Sequence, residues 1–281
     1  MADKAIIGNA VCRRGSRKRQ VGIMTAHVAK FVSEIRELKP IQALRSVRAL
    51  IANPESTGEV FKIIEALKGG SLARASRRLA ESPEGAELLR RKPDILPVLS
   101  DRQRLRAMPE GSLGRAYLDF VESQYLSADG LVQASEEAPR PGVANPDERW
   151  LANRLRDIHD LQHVMCGYGR DELGELCLLS FMVTQTPNRG IAFIIFMAKR
   201  KFRQEAPHVP VEICVAEGRR MGEAAQWFAT VNWEERLEQP LAQLRAELGV
   251  TKPTVYRGAI AQAPANPTKK RAHEPHQGVN S

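Results

Sequence analysis

At 281 residues and 43% hydrophobic content, the chain is long enough to bury a sizeable core, and its composition excludes a repeat protein or wholesale disorder. Its cysteines, Cys12, Cys166, Cys177 and Cys214, contain no CxxC pair, which excludes a disulfide framework and fits a reducing compartment. The net charge of +9 belongs to the ends: residues 1–24 carry six Lys/Arg against Asp3, residues 252–281 carry five against Glu274, and 31 residues of each sign remain between, so a basic nucleic-acid-binding core is excluded.

Residues 1–24 hold the cluster Arg13, Arg14, Arg17, Lys18 and Arg19 and read as a flexible basic arm, or as a start placed upstream of a true one at Met24. The segment lacks the apolar amphipathic helix of an organelle presequence, and no secretory signal is visible. Apolar periodicity then predicts helices over 26–37, 41–52, 59–67, 72–81 and 84–91, separated by Pro40, Pro54, Pro83 and Pro93. A further helix is expected over 114–125, followed by a Pro-rich connection at 138–146 with little regular structure.

From Trp150 the apolar spacing predicts a helix that runs on through His159, Asp160 and His163 and ends at Gly167. At about 100° per residue the three polar side chains fall at about 0°, 100° and 40° around that helix, on one face. A second helix, 173–184, is apolar almost throughout, and Glu175 in its first turns is placed to fold back on the His pair. Two imidazoles and two carboxylates suit a divalent first-row metal, with water or a substrate oxygen completing the shell. The alternative for the same spacing is a solvated or ion-paired helix face. Cys166 and Cys177 flank these residues and read as small buried apolar groups.

Residues 190–198 are apolar on every face and are followed by Lys199, Arg200, Lys201 and Arg203. The stretch is too short to span a bilayer, which takes about 20 residues, so it reads either as a core helix or as one that dips into a membrane interface. Helices over 211–229 and 233–248 follow, the last capped by Gly249, and residues 253–281 read as a disordered basic tail. Residues 246–257 also match the turn and recognition helix of a helix-turn-helix regulator, but they run straight into the polar tail with no helical unit beyond them.

With these segments in view the chain resembles the Coq-four family of coenzyme Q biosynthesis proteins, whose hallmark is HDxxH with a spaced Glu, met here by His159, Asp160, His163 and Glu175. The likeness extends to Ser82-Pro83-Glu84-Gly85-Ala86, Leu113-Gly114-Arg115-Ala116-Tyr117, Gly218-Arg219-Arg220 and Trp233-Glu234-Glu235-Arg236-Leu237, across about residues 75 to 252. The arms match nothing typical of the family.

The resemblance implies an all-α, multi-helix single domain over 25–252 with disordered arms. It further implies a metal-dependent enzyme, zinc or alternatively iron(II), held by those four residues, that replaces the C1 carboxyl of a polyprenylated hydroxybenzoate with hydroxyl. The implied partners are that lipid precursor, other ubiquinone biosynthesis proteins, a membrane surface and a second copy in a homodimer, with no nucleic acid. The implied location is peripheral: the cytoplasmic face of a bacterial inner membrane, or the matrix side of the mitochondrial one. A non-catalytic lipid-binding scaffold is the alternative.

Overall fold

The structure, a computed structural model, describes residues 70–123 and 145–262. The helices expected before residue 70, residues 138–144 of the expected connection, the arm at 1–24 and the tail beyond 262 lie outside them. The described residues form twelve α-helices and two 3-10 turns without a strand, as expected for an all-α chain. A lone antiparallel bridge joins Ser112 to Pro240.

The helices are α1 (Ser71–Ala80), α2 (Pro83–Arg91), α3 (Leu96–Ser100), α4 (Arg102–Ala107), α5 (Leu113–Ser123) and α6 (Pro146–Asp157). They continue with α7 (His159–Cys166), α8 (Glu172–Gln185), α9 (Arg189–Glu205), α10 (Val211–Ala224), α11 (Leu241–Glu247) and α12 (Thr254–Gln262). Local chemistry sets several starts. Ser82 accepts from the Gly85 amide to open α2, Asn145 accepts from Asp147 and Glu148 with Pro146 following, and Asn188 accepts from Gly190 and Ile191.

Helix α8 is the centre of the molecule. Its near-continuous apolar sequence is buried on most sides, with Leu176, Cys177, Leu178 and Phe181 at 2% exposure or less. Each such Leu or Phe contributes roughly 1.5–3 kcal/mol of burial free energy. The most extensive helix pair is α8 with α10, and glycine makes their approach possible. A Cβ at Gly218 would stand 2.4 Å from the Cys177 carbonyl oxygen, and one at Gly222 would stand 2.6 Å from that of Phe181. The Ser180 hydroxyl donates to Val215 O and the Gln185 amide to Gly222 O, stitching the same seam. Cys166, Cys177 and Cys214 are all buried thiols, as the two beside the His pair were expected to be.

Four expectations are corrected. The helix read through Trp150 to the His pair is two helices, because Ile158 leaves helical geometry at φ −86°, ψ 4°. His159 and Asp160 therefore open a short helix of their own, where a carboxylate favours the positive end of the helix dipole. The helix read over 233–248 is a 3-10 turn, Trp233–Glu235, and then α11, since Pro240 stops the helical hydrogen bonding. The helix read to 229 ends at Ala224, and Phe228–Thr230 forms a separate 3-10 turn.

The fourth correction concerns the tail read as starting at 253: residues 254–262 are helix α12. Its first amides at Val255 and Tyr256 donate to the Glu217 carboxylate on α10. The buried Tyr256 hydroxyl donates to Asp171 and accepts from the Gly169 amide. The residues that matched a recognition helix are thus spent on closing the domain.

The 190–198 stretch lies in α9. Ile191 and Ile195 face the core, while Phe196 is 58% exposed. Of the basic residues after it, Lys199 pairs with Glu212, Lys201 with Glu172 and Glu205, and Arg203 with Glu212. No described helix is long and apolar enough to cross a membrane.

Candidate metal centre

Helix α7 presents His159, Asp160 and His163 with ligand atoms all within 4.8 Å of one another. Gly167 ends the helix in the left-handed region at φ 75°, a conformation that costs glycine little, and the chain reverses. Asp171 then accepts from the Gly174 amide to open α8. Four residues past that cap, Glu175 arrives over the imidazoles, its carboxylate 3.2 Å from His163 Nε2 and 3.8 Å from His159 Nε2. All four sequence-predicted residues therefore meet, with Glu175 on the Nε2 side of both rings and Asp160 3.5 Å from Nδ1 of His159.

His163 is the key group, wholly buried against the stacked ring of Phe120 at 5.5 Å. Its Nδ1 lies 3.3 Å from the Tyr168 carbonyl oxygen. A carbonyl only accepts, so Nδ1 carries a proton, and Nε2 is the ring atom turned toward Glu175. That Nε2 is sealed from solvent and makes no well-aligned hydrogen bond, and the Glu175 carboxylate faces it at 3.2 Å. Either a proton on Nε2 or a metal ion between the two groups completes this contact. The donor set, two imidazole nitrogens and two carboxylates, is what a first-row divalent ion takes.

Burial is the largest influence on Asp160 and pushes its carboxyl upward, but the contact with His159 and the Arg170 guanidinium outweigh it and hold the group below the usual carboxylate range. Glu175 follows the same pattern, with burial opposed by His163, His159 and Arg170. Burial, followed by the charge of Asp160, keeps the Tyr117 hydroxyl of α5 protonated beside the centre.

Sequence reasoning missed three contributors: the Tyr168 carbonyl that orients His163, the Phe120 ring that seals it, and Arg170, 3.6 Å from Asp160. A cation between two ligand segments was the available signal for Arg170, whereas nothing local marks Phe120. A cavity of about 630 Å³ shares His163 with the centre and opens between α5, α7, α11 and α12, lined by Phe120, Val164, Leu241, Ile260 and Arg257 among others. The 190–198 stretch does not line it.

Comparison with known proteins gives a consistent set. The family model described as Coenzyme Q (ubiquinone) biosynthesis protein Coq4 matches residues 35–254. The mitochondrial ubiquinone biosynthesis protein COQ4 homologue of Rattus norvegicus is 31% identical over 187 residues, covering 66% of this chain and 67% of the relative. The Bos taurus homologue is 31% identical over 176 residues, 63% of this chain, and the chain spans 64% of its length. The Homo sapiens homologue is 28% identical over 223 residues, covering 79% of this chain and 82% of the relative. Among solved structures, a putative ubiquinone biosynthesis protein of Nostoc punctiforme has the same fold, with a TM-score of 0.57, 19% identity, and coverage of 76% of this chain and 100% of that one. With the family model matched over most of its length, the chain belongs to the Coq4 family of coenzyme Q (ubiquinone) biosynthesis proteins.

Proposed function

We propose that this protein acts in ubiquinone biosynthesis as a metal-dependent enzyme. Its reaction on a polyprenylated hydroxybenzoate precursor replaces the C1 carboxyl with hydroxyl. The observation that carries the reading is the buried, unpartnered Nε2 of His163 facing the Glu175 carboxylate at 3.2 Å. Leaving a buried ring nitrogen unpaired beside a carboxylate costs roughly 1–3 kcal/mol unless a ligand repays it.

His159, Asp160, His163 and Glu175 would hold the ion. When bound, zinc supplies Lewis acidity at a substrate carboxylate or phenolic oxygen, and iron(II) would add a site for dioxygen. The overall change takes two electrons from the ring: acid, dioxygen and water give phenol, carbon dioxide and hydrogen peroxide. The protein's own groups supply position. The Tyr168 carbonyl keeps the proton on His163 Nδ1, Phe120 excludes water from that ring, and Tyr117 offers a protonated hydroxyl beside Asp160.

The cavity next to His163 offers the prenyl tail an apolar wall in Phe120, Val164, Leu241 and Ile260. A peripheral membrane position fits a lipid substrate, and the exposed Phe196 of α9 is a contact point for it. Other ubiquinone biosynthesis proteins and a second copy of the chain are the proposed protein partners.

The test is elemental analysis of the purified protein beside His163→Ala, followed by aerobic turnover of a prenylated 4-hydroxybenzoate with both. One ion per chain in the wild type, lost together with carboxyl release in the variant, is expected. Metal without turnover would favour a lipid-presenting scaffold, and full turnover without metal would refute the proposed site.

A further inference from the structure

Arg170 is not among the hallmark residues, yet its guanidinium is part of the metal centre. Its NH1 is sealed from solvent and has no hydrogen-bond partner. It forms a loose ion pair with Asp160, whose Oδ2 stands 3.6 Å away, too far for a good hydrogen bond. The side chain as a whole is 29% exposed, and NH1 is a part of it sealed from solvent. The buried donor stands beside Asp160 of one ligand segment, and the guanidinium charge also bears on Glu175 of the other.

The backbone that carries Arg170 is held on both sides by one group. The Tyr256 hydroxyl accepts from the Gly169 amide at 2.9 Å and donates to the Asp171 carboxylate. Gly174 closes on the same turn so tightly that a Cβ there would stand 2.2 Å from Gly169 O. The guanidinium is therefore projected from a fixed turn rather than a loose loop, which is what a pre-positioned binding group needs.

Charge gives the ligand class. A divalent ion with Asp160 and Glu175 is neutral in sum, and Arg170 adds one positive charge beside it. One monoanion balances the loaded centre. A planar guanidinium matches a carboxylate in shape and hydrogen-bond direction, and lysine does not reproduce that fork.

We propose that Arg170 is the substrate-carboxylate receptor of this site, using its buried NH1 to hold the aromatic acid against the metal face. The proposal rests on the functional reading above and deepens it, naming the group that distinguishes the acid from its decarboxylated form. Once the carboxyl carbon leaves as carbon dioxide, the neutral ring no longer satisfies Arg170, which favours release of the product over the substrate.

The experiment is anaerobic calorimetry on the full, metal-loaded chain with 3-prenyl-4-hydroxybenzoate and with 2-prenylphenol, which lacks the carboxylate. The wild type should bind the acid at least about tenfold more tightly than the phenol, the scale of one lost charge-assisted hydrogen bond. In Arg170→Gln that preference should fall about tenfold in preparations matched for metal content, and Arg170→Lys should restore only part of it. Full acid preference in Arg170→Gln would overturn the inference alone. Loss of metal in step with acid binding, in both variants, would also overturn it by making Arg170 only the counter-ion of Asp160. A wild type indifferent to the carboxylate would sink the functional reading and the receptor with it.

Discussion

Replacing Gly218 by alanine adds one methyl group to the seam between α8 and α10, and the structure gives the size of the intrusion. The new Cβ would lie 2.4 Å from the Cys177 carbonyl oxygen, so the helices must part by about 0.6 Å to reach even a 3.0 Å contact. The obstacle is backbone, which has no rotamer to escape into, so the cost sits near the upper end of core overpacking, about 3 kcal/mol. Alanine returns about 1 kcal/mol through its better helix propensity. The net loss is about 2 kcal/mol, or a melting temperature lower by roughly 4–8 °C for a domain of this size. Gly258→Ala in α12 is the internal control, because a Cβ there meets nothing within 4 Å. It should stabilise by about 0.5–1 kcal/mol. Thermal unfolding of the two variants beside the wild type makes the check, and Gly218→Ala melting at or above the wild type would refute the packing argument.

Arg154→Ala removes a side chain only 1% exposed that forks onto Glu234 at 2.7 and 2.9 Å and donates to Val231 O. Breaking such a buried pair should cost about 3–5 kcal/mol in urea unfolding, and a loss below about 1 kcal/mol would mean that Glu234 simply turns to water. Tyr256→Phe deletes the hydroxyl shared by Gly169 and Asp171, with an expected loss of about 1–3 kcal/mol. Hydrogen exchange should quicken in α12 and in residues 169–171, and protection unchanged at both places would show that the hydroxyl holds neither. Phe196→Glu should reduce flotation with anionic liposomes while leaving the melting temperature within the range of a surface change, since Phe196 is 58% exposed. Undiminished flotation would remove α9 as the membrane contact.

Where the fold was legible, the determinants were local. Ser82 with Pro83, Asn145 with Pro146, and Gly167 are helix-boundary signals written into consecutive residues, and the helices begin or end there. Where it was not, the partner lay far along the chain. Thr254–Gln262 carries no strong periodicity, and its helix is capped from α10 by Glu217, which takes up the Val255 and Tyr256 amides. Composition marked that stretch as tail because the stabilising carboxylate is 38–39 residues away in sequence. The break at Pro240 is the reverse case: the local signal was present, and an apolar pattern running past it on both sides concealed it.

The candidate metal centre divides in the same way. The convergence of His159, Asp160 and His163 needs nothing beyond the 3.6-residue period, and the break at Ile158 leaves it intact because all three lie on α7. The reach of Glu175 depends on something no helical period contains: the angle between α7 and α8. That angle is fixed by a reversal at Gly167, by Gly174 seated on the Gly169 carbonyl, and by a tyrosine from the last helix gripping both residues that flank Arg170. The C-terminal helix, read from sequence as an appendage, thus belongs to the framework that holds the turn between Arg170 and Glu175. The four hallmark residues supply the donors of the proposed metal site, while the long-range contacts account for their being in one place.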